Sequence, residues 1–242
     1  QKTAYEIRPR DWSSDVCSSD LDLIEFPRRL VSPLLDPHSV DDWGRDQHLV
    51  ELLTPIARLR WQVGVSGIEH LPTKTGALLV CNARRFALTP VFAALAIAEA
   101  TGRPVRFVGR PDIGPLGAFM RRIGALLDRP DDIRTALHHR ELVLMGAEHT
   151  DSALEAGAVR HDLIAAAVLE KVPVYPVAST SSALSRTARA DIGPAVRAAR
   201  SRRGPLAEVE LAAQVQRHLQ RQLDGFGGTR TGVAVFDRLA EG

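Results

Sequence analysis

Apolar positions fall in two rhythms along this chain: short unbroken runs and longer stretches at helical spacing. The densest run is Ala77 to Cys81, whose length and branching fit a strand buried on both faces. Asn82 ends the run, two arginines follow, and an alanine-rich stretch from Phe86 to Ala100 favours a helix closed near Thr101-Gly102. Similar runs predict strands at Gln62 to Ser66, Pro104 to Gly109, Glu141 to Gly146 and Val172 to Ala178, with an edge strand at Arg189 to Ile192. Between them, helices are predicted within Pro111 to Ile123, across His138 and His139, over Ala153 to Glu170, and over Leu206 to Leu223. Strands alternating with helices predict one α/β domain. The polar turn after Ala77–Cys81 lies where such domains keep their chemistry, at the carboxyl edge of the sheet.

Two terminal stretches break the pattern. Residues 1–21 are polar and serine-rich and have no apolar centre, so they do not form a signal peptide. QKTAYEI and DWSSDVCSSDL resemble a translated sequencing adapter, and this tail is set apart from the fold. Residues 22–60 read as an N-terminal helical segment in which Leu49, Leu52, Leu53 and Ile56, continued by Trp61, repeat at helical spacing beside Arg45, Arg58 and Arg60. The stripe has two readings: an interfacial helix on anionic lipid, or a helix packed on the sheet. Residues 61–224 form the α/β domain. The tail at 225–242 holds Gly225-Phe226-Gly227-Gly228, which lacks the strand and helix a phosphate loop needs.

Composition narrows the function. A hydrophobic share of 45% over 242 residues supports a sizeable core, while aromatics at 5% and a net charge of +2 give no case for nucleic acid. Arginine greatly outnumbers lysine, as in a high-GC bacterial gene. Two distant cysteines point to a reducing compartment. No apolar stretch nears the ~20 residues of a membrane span. His138 and His139 diverge by about 100° on a helix and make a poor chelating pair, so no metal is expected. The absence of a Gly-x-Ser-x-Gly elbow argues against a serine hydrolase.

Four ordered segments carry more. They are Asn82-Ala83 through Leu88, then Gly124-Ala125-Leu126-Leu127-Asp128-Arg129, then Ala147-Glu148-His149-Thr150, then Val172-Pro173-Val174-Tyr175-Pro176-Val177. With the lead-in Val65-Ser66-Gly67-Ile68-Glu69-His70-Leu71-Pro72 and the later Ile192-Gly193-Pro194, this set resembles the glycerolipid (lysophosphatidic acid type) acyltransferase family from Trp61 to about Gly193. The resemblance implies an α/β fold with a mixed central sheet flanked by helices. It also implies acyl transfer from acyl-CoA or acyl-carrier protein to a lysophospholipid hydroxyl, peripheral on the cytoplasmic face of the cell membrane, with no cofactor beyond that co-substrate.

The family's catalytic His falls on Ala83 and its Asp on Leu88. In the family that His is the general base for the acceptor hydroxyl, and the Asp orients it. A methyl and an isobutyl group can do neither. The expectation is therefore an impaired or inactive relative, or a non-catalytic lipid or acyl-thioester binding module that partners an active enzyme. Asn82, Arg129, Glu148 and Thr150 are the substrate-binding candidates. A guanidinium fork suits Arg129 to phosphate, against the alternative of pairing with Asp131 or Asp132. His149, read in a turn after its strand, is either a substitute base or a polar loop histidine. The basic run Arg197, Arg200, Arg202 and Arg203 either touches headgroups or is a solvated face.

Overall fold

The run at Ala77 and its partner at Leu142 become the two central strands, because each has apolar side chains to offer both faces of a sheet. In a computed structural model the structure describes residues 40–226, apart from 61, 85–88, 112–113, 153, 182–186 and 199–203. The described strands are β1 (Gln62–Ser66), β2 (Ala77–Arg84), β3 (Val105–Arg110), β4 (Ala125–Leu127), β5 (Leu142–Thr150), β6 (Val174–Ser181) and β7 (Thr187–Ile192). They form one sheet in the order β1-β7-β6-β2-β5-β3-β4. All neighbours pair in parallel except β6 and β7, so the sheet is mixed.

Helices cover both faces: α1 (Gln47–Arg60), α2 (Thr89–Thr101), α3 (Gly114–Arg122), α4 (Pro130–His138), α5 (His161–Glu170) and α6 (Pro205–Gly225). Alternation along the strands divides the core. Ala77, Leu79 and Cys81 of β2 join Leu142 and Leu144 of β5 beneath Phe92 and Ile97 of α2. Leu78, Val80, Val143 and Met145 face Ile133, Leu163 and Val215, from α4, α5 and α6. This is period-two burial on two sides, the reason the sequence shows unbroken runs.

The connections leave β2 and β5 in opposite directions. From β2 the chain crosses by α2 to β3, and from β5 it crosses by α5 to β6. Adjacent parallel strands whose crossovers diverge open a crevice at their carboxyl ends. The residues of interest gather there.

Several sequence expectations shift. Neither central strand stops where its apolar run does: β2 continues through Asn82 to Arg84, and β5 runs on through Glu148 and His149, which are strand residues rather than turn residues. The helix expected from Ala153 starts only at His161, because 154–160 is laid along the end of β5 and Gly157 has φ 64°, outside the helical region. β7 is not the sheet edge, since β1 pairs outside it. Leu88, Arg85, Trp61, the tail 1–21 and residues 227–242 lie outside the described residues, as do Arg200, Arg202 and Arg203.

Candidate functional site

At the end of β2, Asn82 is 3% exposed, and its side chain behaves as backbone. Its amide nitrogen donates to the Ser179 carbonyl at 2.8 Å, and its oxygen accepts from the Ser179 N–H at 2.7 Å. The last registered pair between β2 and β6 is Cys81 with Val177. Asn82 thus extends the ladder where the two strands part, and its amide is committed to β6. Cys81, just before it, is fully buried, and burial pushes its thiol up to about 12. It stays protonated and is no nucleophile.

Ala83 is 2% exposed. A Cβ built on Gly146 would lie 3.2 Å from the Ala83 Cβ and 3.3 Å from Pro90 Cγ, so Ala83 faces the α2 side over a glycine kept small by this approach. Beyond Gly146 the register changes. Cys81 pairs with Gly146, but Ala83 pairs with His149 and Arg84 with Thr150. Two residues of β2 are thus spanned by three of β5. The surplus residue is a β-bulge, rare between parallel strands and a known way of re-aiming side chains. Registered partners in a parallel pair point to the same face, which puts His149 on the Ala83 side of the sheet. The exposed imidazole makes no hydrogen bond to any described residue.

The bulge is held from behind. The Glu148 N–H donates to the Ala158 carbonyl at 2.8 Å. Gly157 passes so close to the Glu148 carbonyl that a side chain there would collide with it. Thr150 Oγ1 donates to the Ser152 carbonyl at 2.8 Å, so this hydroxyl closes the turn after β5. Gln220 of α6 then clamps the loop, accepting from the Ala156 N–H at 3.0 Å and donating to the Leu154 carbonyl at 3.1 Å.

Arg129 is exposed and occupies the N-cap position of α4, on the same sheet edge as Glu148 and His149 but two strands beyond β5. Beside it, Arg160 Nη1 bonds Asp128 at 2.5 Å and Nη2 bonds Asp162 at 2.5 Å, tying the end of β4 to the start of α5. The hydrogen bond from Arg160 holds the Asp162 carboxyl below its usual range. Arg110 ends β3, the strand directly beside β5, and its Nε has no hydrogen-bond partner among the described residues. The sequence reading passed over Arg110 and Gln220. A basic residue at the end of a strand was a signal for Arg110; nothing local marked Gln220.

A groove of about 580 Å³ lies between α1, β1 and α2, lined among others by Ala57, Val63, Val65, Phe92, Leu95 and Ala96. Phe92, in the lining, follows Pro90 by half a turn on the same helix. On α1, Leu49, Val50 and Leu53 pack into the core, whereas Leu52, Ile56 and Leu59 stand 45%, 62% and 67% exposed. The stripe expected of one helix face is two stripes, one inward and one outward.

No family model and no curated protein sequence matches this chain. Among solved structures, the 1-acyl-sn-glycerophosphate (LPA) acyltransferase PlsC from Thermotoga maritima superposes with a TM-score of 0.55 at 16% identity, covering 75% of this chain and 81% of that one. The α/β architecture is therefore that of an LPA acyltransferase structure.

Proposed function

We propose that this protein binds a long-chain acyl thioester, from CoA or acyl-carrier protein, and a lysophospholipid or related hydroxyl acceptor at the β2–β5 junction. The observation that carries this reading is the switch point itself. In a fold shared with an LPA acyltransferase, the exposed Glu148 and His149 of β5 lie beside the end of β2, where the crossovers leave in opposite directions. The groove along α2 suits the acyl chain, and Arg110 and Arg129 on the same edge suit the phosphate of an acceptor. Among the described residues no helix is long and apolar enough to cross a membrane. The outward stripe of α1, with the exposed Leu116 and Phe119 of α3, supports peripheral contact with a lipid surface.

Ala83 favours a second reading, a binding module without turnover, because hydrocarbon stands where the resembled family has its imidazole. Turnover separates the two. Calorimetric titration with palmitoyl-CoA should show saturable binding that free CoA does not reproduce; no binding by folded protein sinks the proposal. Ala83→His with Leu88→Asp should raise thioester release if the junction retains room for the pair. A folded double variant without any gain would mean that packing against Gly146 and Pro90 has closed that position. Replacing Leu52, Ile56 and Leu59 with Glu should abolish co-sedimentation with anionic vesicles, and undiminished co-sedimentation would remove α1 from the membrane contact.

A further inference from the structure

The imidazole missing from β2 has a counterpart on β5. We infer that His149 is the general base of this site, delivered to the Ala83 position by the one-residue bulge in β5. This rests on the acyl-thioester reading above and adds to it the group that takes the proton.

The geometry is specific. Ala83 and His149 are registered partners on neighbouring parallel strands. Such strands lie ~4.8 Å apart, which is within the reach of an imidazole. Without the surplus residue, period-two alternation would set Glu148 opposite Ala83 and turn His149 to the other face. The bulge reverses that choice. It is built in by the Glu148 N–H bond to Ala158, by the glycine at 157, and by the Gln220 clamp on Leu154 and Ala156. Gly146, with no side chain, lets Ala83 and Pro90 pack close against β5 at the start of α2. His149 itself is exposed and makes no hydrogen bond to any described residue.

The step balances without any further reactant. The acceptor hydroxyl oxygen attacks the thioester carbonyl carbon, and a C–O bond forms as its proton passes to the unprotonated nitrogen of His149. Collapse of the tetrahedral adduct breaks the C–S bond, and the imidazolium returns the proton to the departing thiolate. The products are the ester and the free thiol.

The test compares wild type, His149→Ala, His149→Gln, Gly157→Ala and the control His138→Gln, which lies at the far end of α4 and bonds Glu170. Thiol release is followed with acyl-CoA donors of graded chain length and vesicle-borne lysophosphatidic acid, and palmitoyl-CoA affinity is measured in parallel. The expected result is release by wild type and the control, a loss of ~10²–10⁴-fold in both His149 variants with palmitoyl-CoA affinity unchanged, and partial recovery of His149→Ala on adding imidazole. Gly157→Ala should lower release while leaving affinity unchanged, because it displaces the bulge and not the groove. Release that survives loss of His149 overturns the inference but leaves acyl transfer standing. Tight palmitoyl-CoA binding with no release from any donor overturns it in favour of the binding module. Neither binding nor release removes the underlying reading as well.

Discussion

The two edges of the sheet treat polar groups in opposite ways. At the amino edge, Arg106 near the start of β3 is 1% exposed, with Nη2 on Asp41 at 2.5 Å and Nε 3.6 Å from Glu141. Asp41 in turn accepts from the Trp43 and Arg45 N–H groups, which folds 41–46 down as a strap. Beside Arg106, burial and like charge lower the proton affinity of Arg45. At the carboxyl edge, Glu148, His149 and Arg129 are exposed. Buried charge held against its counter-ions marks a joint, whereas polar groups left exposed at the strand ends mark a working surface. Substitution at the amino edge should change stability alone, whereas the carboxyl edge holds buried stabilising groups beside the exposed ones on which activity should depend.

The comparison is broken most directly at Arg106. Arg106→Ala takes the counter-ion from the part-buried Glu141 and one bond from Asp41, which keeps its two N–H donors, and should cost about 3 kcal/mol in urea unfolding. A loss below about 1 kcal/mol would make the strap an ornament. Gly157→Ala comes next, at about 2–3 kcal/mol, since it combines a positive φ with a collision on the Glu148 carbonyl. Amide exchange at Glu148 should rise with it. Asn82→Ala removes the partner of the buried Ser179 N–H and should cost about 1–3 kcal/mol. A neutral result would mean that β2 and β6 hold together without the side chain. His149→Ala completes the contrast: as an exposed substitution it should change stability by less than about 0.5 kcal/mol, although it removes the group on which turnover is proposed to depend. If it unfolds the protein, His149 belongs with the joints.

Much of the fold was legible because burial on two faces writes itself as unbroken apolar runs. Ala77–Cys81 and Leu142–Met145 declared the central strands, and alternation with helices declared the α/β class. The polar ends of those strands were not legible. Asn82 reads as a stop in any hydropathy pattern, yet its amide carries the ladder onward to Ser179. The alanines around 153–160 read as helix, whereas Gly157 and contact with β5 decide otherwise. The pairing of Ala83 with His149 could not be read at all, since a one-residue change of register depends on a loop and on a glutamine, Gln220, far downstream. The sequence offers Asn82 and Thr150 as ligand contacts; in the structure the Asn82 amide bonds Ser179 and the Thr150 hydroxyl bonds Ser152.

The surplus residue in β5 carries one more consequence. Strand geometry counts positions in twos, so a chain shortened by one codon at Glu148 would still set an imidazole across from Ala83, and would do so along a straight strand. The Ala158 carbonyl, Gly157 and Gln220 would then have no bulge to hold, although Ala156 and Val159 would keep their places in the core. The present hold on the bulge is the cost of keeping a glutamate in line ahead of the histidine.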